Sequence, residues 1–400
     1  MTCLPAVLVA MLAALGPTPH HFATDAAATG IPFELTSNKV YVRARLADET
    51  PRWFVLDSGC PVTAVEMGLA RQLKLPLRNE RTIAGAGEGR AGLAETDLTL
   101  VRLPGLDLHP RAAWALAVND AVSPYEGRTI DGLLGLDFLE AFVVRIDYPN
   151  RTLDVSEPKD FRPPAGAIFV PLEKAGPHYV VKGTLHLADG TAVEGRFVLD
   201  IGIRMALLVS TPFVDRHGLV KATGAGPLRT VGGGLGGETK ARIGRVKSLT
   251  VGDLEIDAPV VLLSQEKKSY LAGTETDGLF GAEVFRRYRL TLDLPHKRAM
   301  FEPTPEAKAP YEFDASGLFL IASGDGLRSY KVLSVVPDGP AAKAGVEAGD
   351  VVTAVDGKPA GGLTLDDVRA ALRDPGATRV LTLKRGTKEV TAKVTLRRPV

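Results

Sequence analysis

The stretch RWFVLDSGCPVT, residues 52–63, runs a short apolar segment straight into Asp57 and then into the turn-forming pair Ser58-Gly59. A carboxylate carried off the end of a buried-looking strand is costly unless it is paired, hydrogen-bonded or protonated. The same arrangement returns in RFVLDIGIRMAL, residues 196–207, around Asp200. A strand of one sequence pattern thus delivers an aspartate twice.

Outward from these two points the likeness continues. NKVYVRARLADETPRWFVLDSG (38–59) aligns with HYVVKGTLHLADGTAVEGRFVLDIG (178–202), sharing an alternating strand, a Leu-Ala-Asp turn and a second strand ending in Asp-x-Gly. Further on, IDGLLGLDFLEAFVVRIDYPNRTLDV (130–155) aligns with TDGLFGAEVFRRYRLTLDLPHKRAMFEP (276–303) at almost the same offset. Two motifs repeated in one order imply two homologous units, each of ordinary domain size. Both read as mostly β: Val40, Val42 and Ala44 alternate with polar positions, and the Pro-containing DYPNR and DLPHK stretches are turns. Short helices are expected at residues 137–142 and 283–288.

Composition fits several soluble domains. The 400 residues exceed one ordinary core, 45% are hydrophobic and 24% charged, and 42 Gly with 28 Pro favour many short strands. A net charge of +1 gives no electrostatic case for a nucleic-acid partner. The seven histidines show no paired ligand spacing, so neither a metal site nor a cofactor is expected. Residues 4–15 are an apolar run too short to span a bilayer, and Ala26, Ala27 and Ala28 offer the small side chains of a cleavage site. Residues 1–28 are therefore expected to be an export signal, although the run is preceded by no Lys or Arg, and the chain is expected in the periplasm or outside the cell with no integral membrane span. Cys60 then remains as the sole cysteine, so an intramolecular disulfide is impossible in the processed chain. The expected division is a leader at 1–28, lobes at 29–158 and 159–304, a linker at 305–315 and a compact C-terminal unit at 316–398.

Two carboxylates meeting between similar lobes cannot both ionise cheaply, so the pair shares a proton. One aspartate then takes a proton from a bound water that attacks a peptide carbonyl, while the other donates to the carbonyl oxygen. In VLDSG with GLLG, and VLDIG with GLFG, the chain resembles the retropepsin-like and pepsin-like aspartic proteases, in single-chain, two-lobed form. The resemblance implies a mainly β, bilobal acid-protease fold, catalytic Asp57 and Asp200, and supporting Ser58, Gly59 and Gly202. It implies a peptide or protein substrate and aspartic endopeptidase activity. At Ile201 the chain departs from the family, which places a Thr or Ser hydroxyl there to lock the two loops. Arg204 is a second departure: folded back on Asp200 it would hold that carboxylate ionised.

The glycine-rich stretches AGAGEGRAG (84–92) and GGGLGG (232–237) contain Gly-x-Gly-x-x-Gly, but each leads into a strand-like segment rather than a helix, which excludes a dinucleotide site. The resemblance makes them flaps over substrate, with Gly85, Gly87, Gly89 and Gly234 at their tips.

The C-terminal unit resembles a PDZ domain of the bacterial, protease-associated arrangement, through SGLFL (316–320), DGPAAKAGVEAGDVVTAVDGKP (338–359) and a helix after Thr364 with Asp367 three residues on. The resemblance implies a peptide groove that takes a C-terminus, formed by Gly317, Leu318 and Phe319 with Val368 and Leu372 on its wall. The competing expectation is a protease-like scaffold without catalysis, functioning through its PDZ domain, with Ile201 and Arg204 as signs of lost chemistry.

Overall fold

The computed structural model describes residues 18–24 and 26–400. Most of the expected leader, residues 1–17, lies outside the described residues.

The repeat is reproduced strand for strand. In the first lobe Lys39–Arg45 pairs antiparallel with Pro51–Leu56, Tyr41 opposite Val55, and Gly132–Leu134 lies parallel to the latter with Leu134 beside Leu56. In the second, His178–His186 pairs with Ala192–Asp200, Val180 opposite Val198, and Gly278–Gly281 runs parallel with Phe280 beside Leu199. Matching registers make Lys39 the counterpart of His178. The central strands are apolar on both faces because both are covered: Phe54, Leu56 and Phe197 are wholly buried. The Leu-Ala-Asp turns close with a left-handed residue in each lobe, Glu49 (φ 58°) and Gly190 (φ 90°).

The lobes join in one sheet. Val143–Asp147 pairs antiparallel with Tyr288–Asp293, Val144 opposite Leu292 and Ile146 opposite Leu290, so that equivalent strands of the repeat meet about a pseudo-twofold axis. Arg289 Nε donates to Asp147 Oδ2 across this seam at 2.9 Å. One apolar core runs through both lobes, and a smaller cluster, with Tyr41, Val55, Cys60 and Leu133, lies in the first. The helices expected near 137–142 and 283–288 form at Leu136–Ala141 and Ala282–Phe285.

The C-terminal unit is a separate β sheet with its own core and two helices, as expected. Leu318–Ser323 is its edge strand. The helix Leu365–Ala371 starts at a capping box in which Thr364 Oγ1 accepts the Asp367 N–H and Asp367 Oδ2 accepts the Thr364 N–H.

Two expectations need correction. Residues 18–28 were expected inside a cleaved leader, yet His20–Phe22 pairs with Leu106–Leu108, and Ala27 and Ala28 pair with Ser156 and Val155. His20 Nε2 also lies 2.6 Å from Glu157 Oε1, with its ring edge-on to Phe142. Small residues suit a cleavage site and a strand equally, and only the partner strands decide between them. Residues 305–315 are likewise not a free linker. Tyr311 is buried beneath Arg287, whose guanidinium stacks 3.5 Å from the ring and donates to the Ala309 and Pro310 carbonyls. Arg245 Nη1 donates to the Tyr311 carbonyl at 2.9 Å. Proline-rich composition does not reveal that a tyrosine in it has a cationic seat on the neighbouring lobe.

Candidate active site

Each aspartate sits where its strand ends in a loop closed by its own glycine. Gly59 N–H donates to Asp57 Oδ1 and Gly202 N–H to Asp200 Oδ1, both at 2.8 Å. The loops are supported alike from below: Asp131 Oδ2 accepts the Trp53 N–H and Asp277 Oδ2 the Arg196 N–H, each four residues before the aspartate on the strand leading to it.

The two loops converge. A Cβ at Gly59 would lie 3.0 Å from Asp200 Oδ2 and 3.1 Å from Asp57 Oδ1, and one at Gly202 would collide with the Asp57 carboxylate. Glycine at both positions is what allows two carboxylates into one small space. One hydroxyl braces the loops: Ser58 Oγ donates to the Leu199 carbonyl at 2.8 Å and accepts the Ile201 N–H at 3.0 Å. Ile201 is fully buried and offers no reciprocal bond, so the brace is one-sided.

Burial raises both carboxyl pKa values. For Asp200 burial acts first and the Asp57 charge second, lifting it to about 7; Asp57 is raised by burial. The Lys39 cation and the loop N–H groups pull both back down. Lys39 is nearly buried, with Nζ 3.1 Å from Glu126 Oε1. Its counterpart His178 is held neutral by burial, which lowers its pKa to about 4, ahead of the Lys174 charge; a bond to the Ser58 backbone works the other way. Cys60 is adjacent to Asp57, but burial and then the Asp57 charge push its thiol well up, which removes it as a nucleophile.

Arg204 neither reaches Asp200 nor points to solvent. Its Nη2 donates to the Val231 carbonyl at 2.8 Å, and the groups acting on its charge include Glu126 and Glu283. It is absent from the groups that shift Asp200.

The glycine-rich stretches are the tips of two hairpins, Arg78–Ala84 with Arg90–Thr96 and Arg229–Gly234 with Gly237–Arg245. The tips bond to one another: Gly87 N–H donates to Leu235 O at 3.1 Å and Gly89 N–H to Gly236 O at 2.8 Å. Gly85 receives the Tyr270 N–H on its carbonyl, and Gly234 packs toward Ala86.

In the C-terminal domain Gly317, Leu318, Phe319 and Leu372 line a cleft that faces the second lobe, whereas Val368 is fully buried in the domain core and does not line it. The helix Leu365–Ala371 is seated on the first lobe: Asp366 accepts the N–H and Oγ–H of Ser37, and Arg369 Nη2 donates to the Tyr125 carbonyl at 2.6 Å. The same guanidinium reaches the Leu320 carbonyl at 3.4 Å, crossing from helix to edge strand, while the Tyr125 ring lies against Phe319. Sequence reasoning singled out none of Lys39, His178 and Arg369. The strand register could have paired the first two, but no local pattern marks the third.

The chain belongs to the aspartyl protease family: its family model matches residues 42–138 and 181–284, together just over half of the chain. A PDZ domain model matches residues 331–385. Among curated proteins, a probable CtpA-like serine protease of Staphylococcus haemolyticus (strain JCSC1435) is 37% identical over 95 residues, 23% of this chain and 19% of that protein. A carboxy-terminal-processing protease of Bartonella bacilliformis (strain ATCC 35685 / KC583 / Herrer 020/F12,63) is 46% identical over 56 residues, 14% of this chain and 13% of that protein. The chain therefore spans less than a fifth of the length of these curated relatives. Among solved structures, an aspartic proteinase from Irpex lacteus overlays with a TM-score of 0.49 at 13% identity, covering 71% of this chain and 99% of that one. A photosystem II D1 C-terminal processing protease overlays with a TM-score of 0.20 at 33% identity, covering 22% of this chain and 23% of that one. No helix among the described residues is long and apolar enough to cross a membrane.

Proposed function

We propose that this protein is an exported aspartic endopeptidase in which Asp57 and Asp200 share one proton and activate a water against a peptide bond. The observation that carries the reading is the convergence of the two carboxylates on Gly59, both with raised pKa and each held by one loop N–H. The ionised member of the pair takes the water proton as oxygen attacks the carbonyl carbon, and the protonated member donates to the carbonyl oxygen. Collapse of the resulting tetrahedral diol expels the amine, which receives a proton from the pair, and the shared proton is restored. The linked glycine tips act as flaps, opening for substrate and excluding water once closed. The PDZ domain holds a C-terminal segment of a polypeptide. Export rests on the apolar run at residues 4–15, with processing ahead of His20, since the strand from His20 belongs to the first lobe.

The one-sided brace at Ile201 favours a second reading, a folded but inactive scaffold that works through its PDZ domain. The serine-protease names of the curated relatives do not compete with the dyad, because neither overlap is long enough to include both lobes. Cleavage of a mixed peptide library across a range from acid to mildly alkaline pH, for the native chain and its Asp57→Asn and Asp200→Asn variants, separates the two readings. Cleavage lost in both variants supports the dyad. A folded native chain that cleaves nothing at any pH leaves the scaffold.

A further inference from the structure

The cleft beside the PDZ edge strand is built by two domains, and its charge is lopsided. Gly317, Leu318 and Phe319 form one side, and Arg204, Arg229, Arg369 and Arg373 surround it with Asp314 as the sole carboxylate of the lining. Arg204 and Arg229 come from the second protease lobe, the latter as the first residue of the hairpin Arg229–Gly234.

The surrounding acids offset this cluster only in part. Glu126 is closest to Lys39 and Glu283 to Arg286 and Arg287, while Asp366 accepts from Ser37 and lies 3.9 Å from Arg369, so that Arg369 is the one arginine of the lining with a carboxylate on its own helix. Asp314 lies 3.7 Å from Arg229, but its oxygens accept from Ser316 N–H, Ser316 Oγ–H and Gly317 N–H. The buried Nη2 of Arg229 has no hydrogen-bond partner, and among the described residues no ion pair within 4 Å holds Arg204 or Arg373. Several guanidinium groups held together around a cleft, one with a donor unused, are a site for carboxylate.

The loop itself is poorly placed to do that work alone. Gly317 N–H is taken by Asp314 and Leu318 N–H by Ser316 Oγ, which removes two of the amides a terminal carboxylate would use. The far end of the groove is crossed by Arg369, so only the last residues of a peptide fit between the edge strand and the lobe.

We propose that this composite cleft selects polypeptides with an acidic residue next to their C-terminus, read by Arg204 and Arg229 of the protease lobe together with Arg373 of the PDZ domain. The proposal rests on the reading of the PDZ groove as a peptide site and adds which peptides enter it. Recognition requires the two domains docked, since neither carries the whole set of arginines.

The test is fluorescence anisotropy with two labelled short peptides, identical but for Glu or Gln before an apolar C-terminal residue, on the full chain carrying Asp57→Asn so that the probe is not consumed. The Glu peptide is expected to bind about tenfold more tightly, the worth of one charge-assisted bond, and the margin to shrink as salt rises. Arg373→Gln, at a side chain with no hydrogen bond to lose, is expected to weaken the Glu peptide more than the Gln peptide and so narrow the margin to a fewfold. Equal binding of both peptides to the parent overturns the acidic selectivity and leaves the groove reading intact. Binding of neither overturns both. An undiminished margin in both Arg373→Gln and Arg229→Gln overturns the assignment of the arginines.

Discussion

Ser58 Oγ bonds to the carbonyl of Leu199 and to the N–H of Ile201, so a single hydroxyl from the first lobe satisfies two buried backbone groups of the second. Replacing it with Ala strands both groups, at a cost of about 1–3 kcal/mol. Urea unfolding of Ser58→Ala is expected to show that loss, and Ser58→Thr, which keeps the hydroxyl, to recover most of it. A loss unrelieved by Thr would mean that the pocket needs small volume rather than the bond.

The dyad predicts a slope of stability with pH. Folded, Asp200 keeps its proton to about pH 7; unfolded, an aspartate releases it near pH ~4. Between those values the folded chain binds more protons, so stability falls as pH rises and is greatest at the acid end of the window. Asp200→Asn is expected to flatten that fall and melt above the parent at neutral pH. Its cleavage is expected to drop by roughly 10²–10⁴-fold, the usual worth of acid–base catalysis. Melting curves with the parental slope would show that the carboxyl is not perturbed.

Lys39 opposes the raised pKa of both aspartates and also neutralises buried Glu126. Lys39→Met alone removes the closest counter-charge of buried Glu126, leaving only the Arg204 and Arg369 charges to offset it, and is expected to cost up to about 3–5 kcal/mol. Lys39→Met with Glu126→Gln removes both charges and is expected to fold. In that pair the dyad retains its proton to higher pH, so the alkaline limb of the cleavage profile moves up. A limb that stays in place or moves down would rule out the lysine as a tuning charge.

At the flap tips a Cβ on Gly87 would come within 2.6 Å of the Gly236 carbonyl. Gly87→Ala therefore separates the tips, and kcat/KM on peptides is expected to fall by up to about 10²-fold, the scale of an ångström of misplacement. Gly361→Ala, where nothing lies within 4 Å of the added carbon, serves as the control. Both variants are expected to melt with the parent.

The strands and the two aspartates were legible because their signals are local and repeated. A Val-Leu-Asp-x-Gly ending with its downstream Asp-Gly-Leu motif, found twice, constrains register and partner at once. The helix after Thr364 was legible for the same reason, its cap being written within four residues. What stayed hidden depends on residues far apart in the chain. Nothing near Tyr311 says that Arg287 will stack on it, and nothing near Arg369 names Tyr125 as its acceptor. The alanines at 26–28 misled because small size serves a processing enzyme and a strand pair alike. The sequence offered Asp200 as the group on which Arg204 would fold back, and its actual partner, a carbonyl on the neighbouring hairpin, is invisible without the fold.

The seam where Val143–Asp147 meets Tyr288–Asp293 has one more consequence. Two identical subunits meeting about an axis must present the same side chain from both directions, and no mutation can alter one copy alone. Here the halves are tethered, and they have drifted apart: serine on one side of the brace and isoleucine on the other, lysine in one register position and neutral histidine in its mate. A polypeptide has a direction, and a trough with an exact twofold axis would accept it either way round. Unlike halves give the two orientations different energies, so that under the peptidase reading the direction of a bound peptide is set one half at a time.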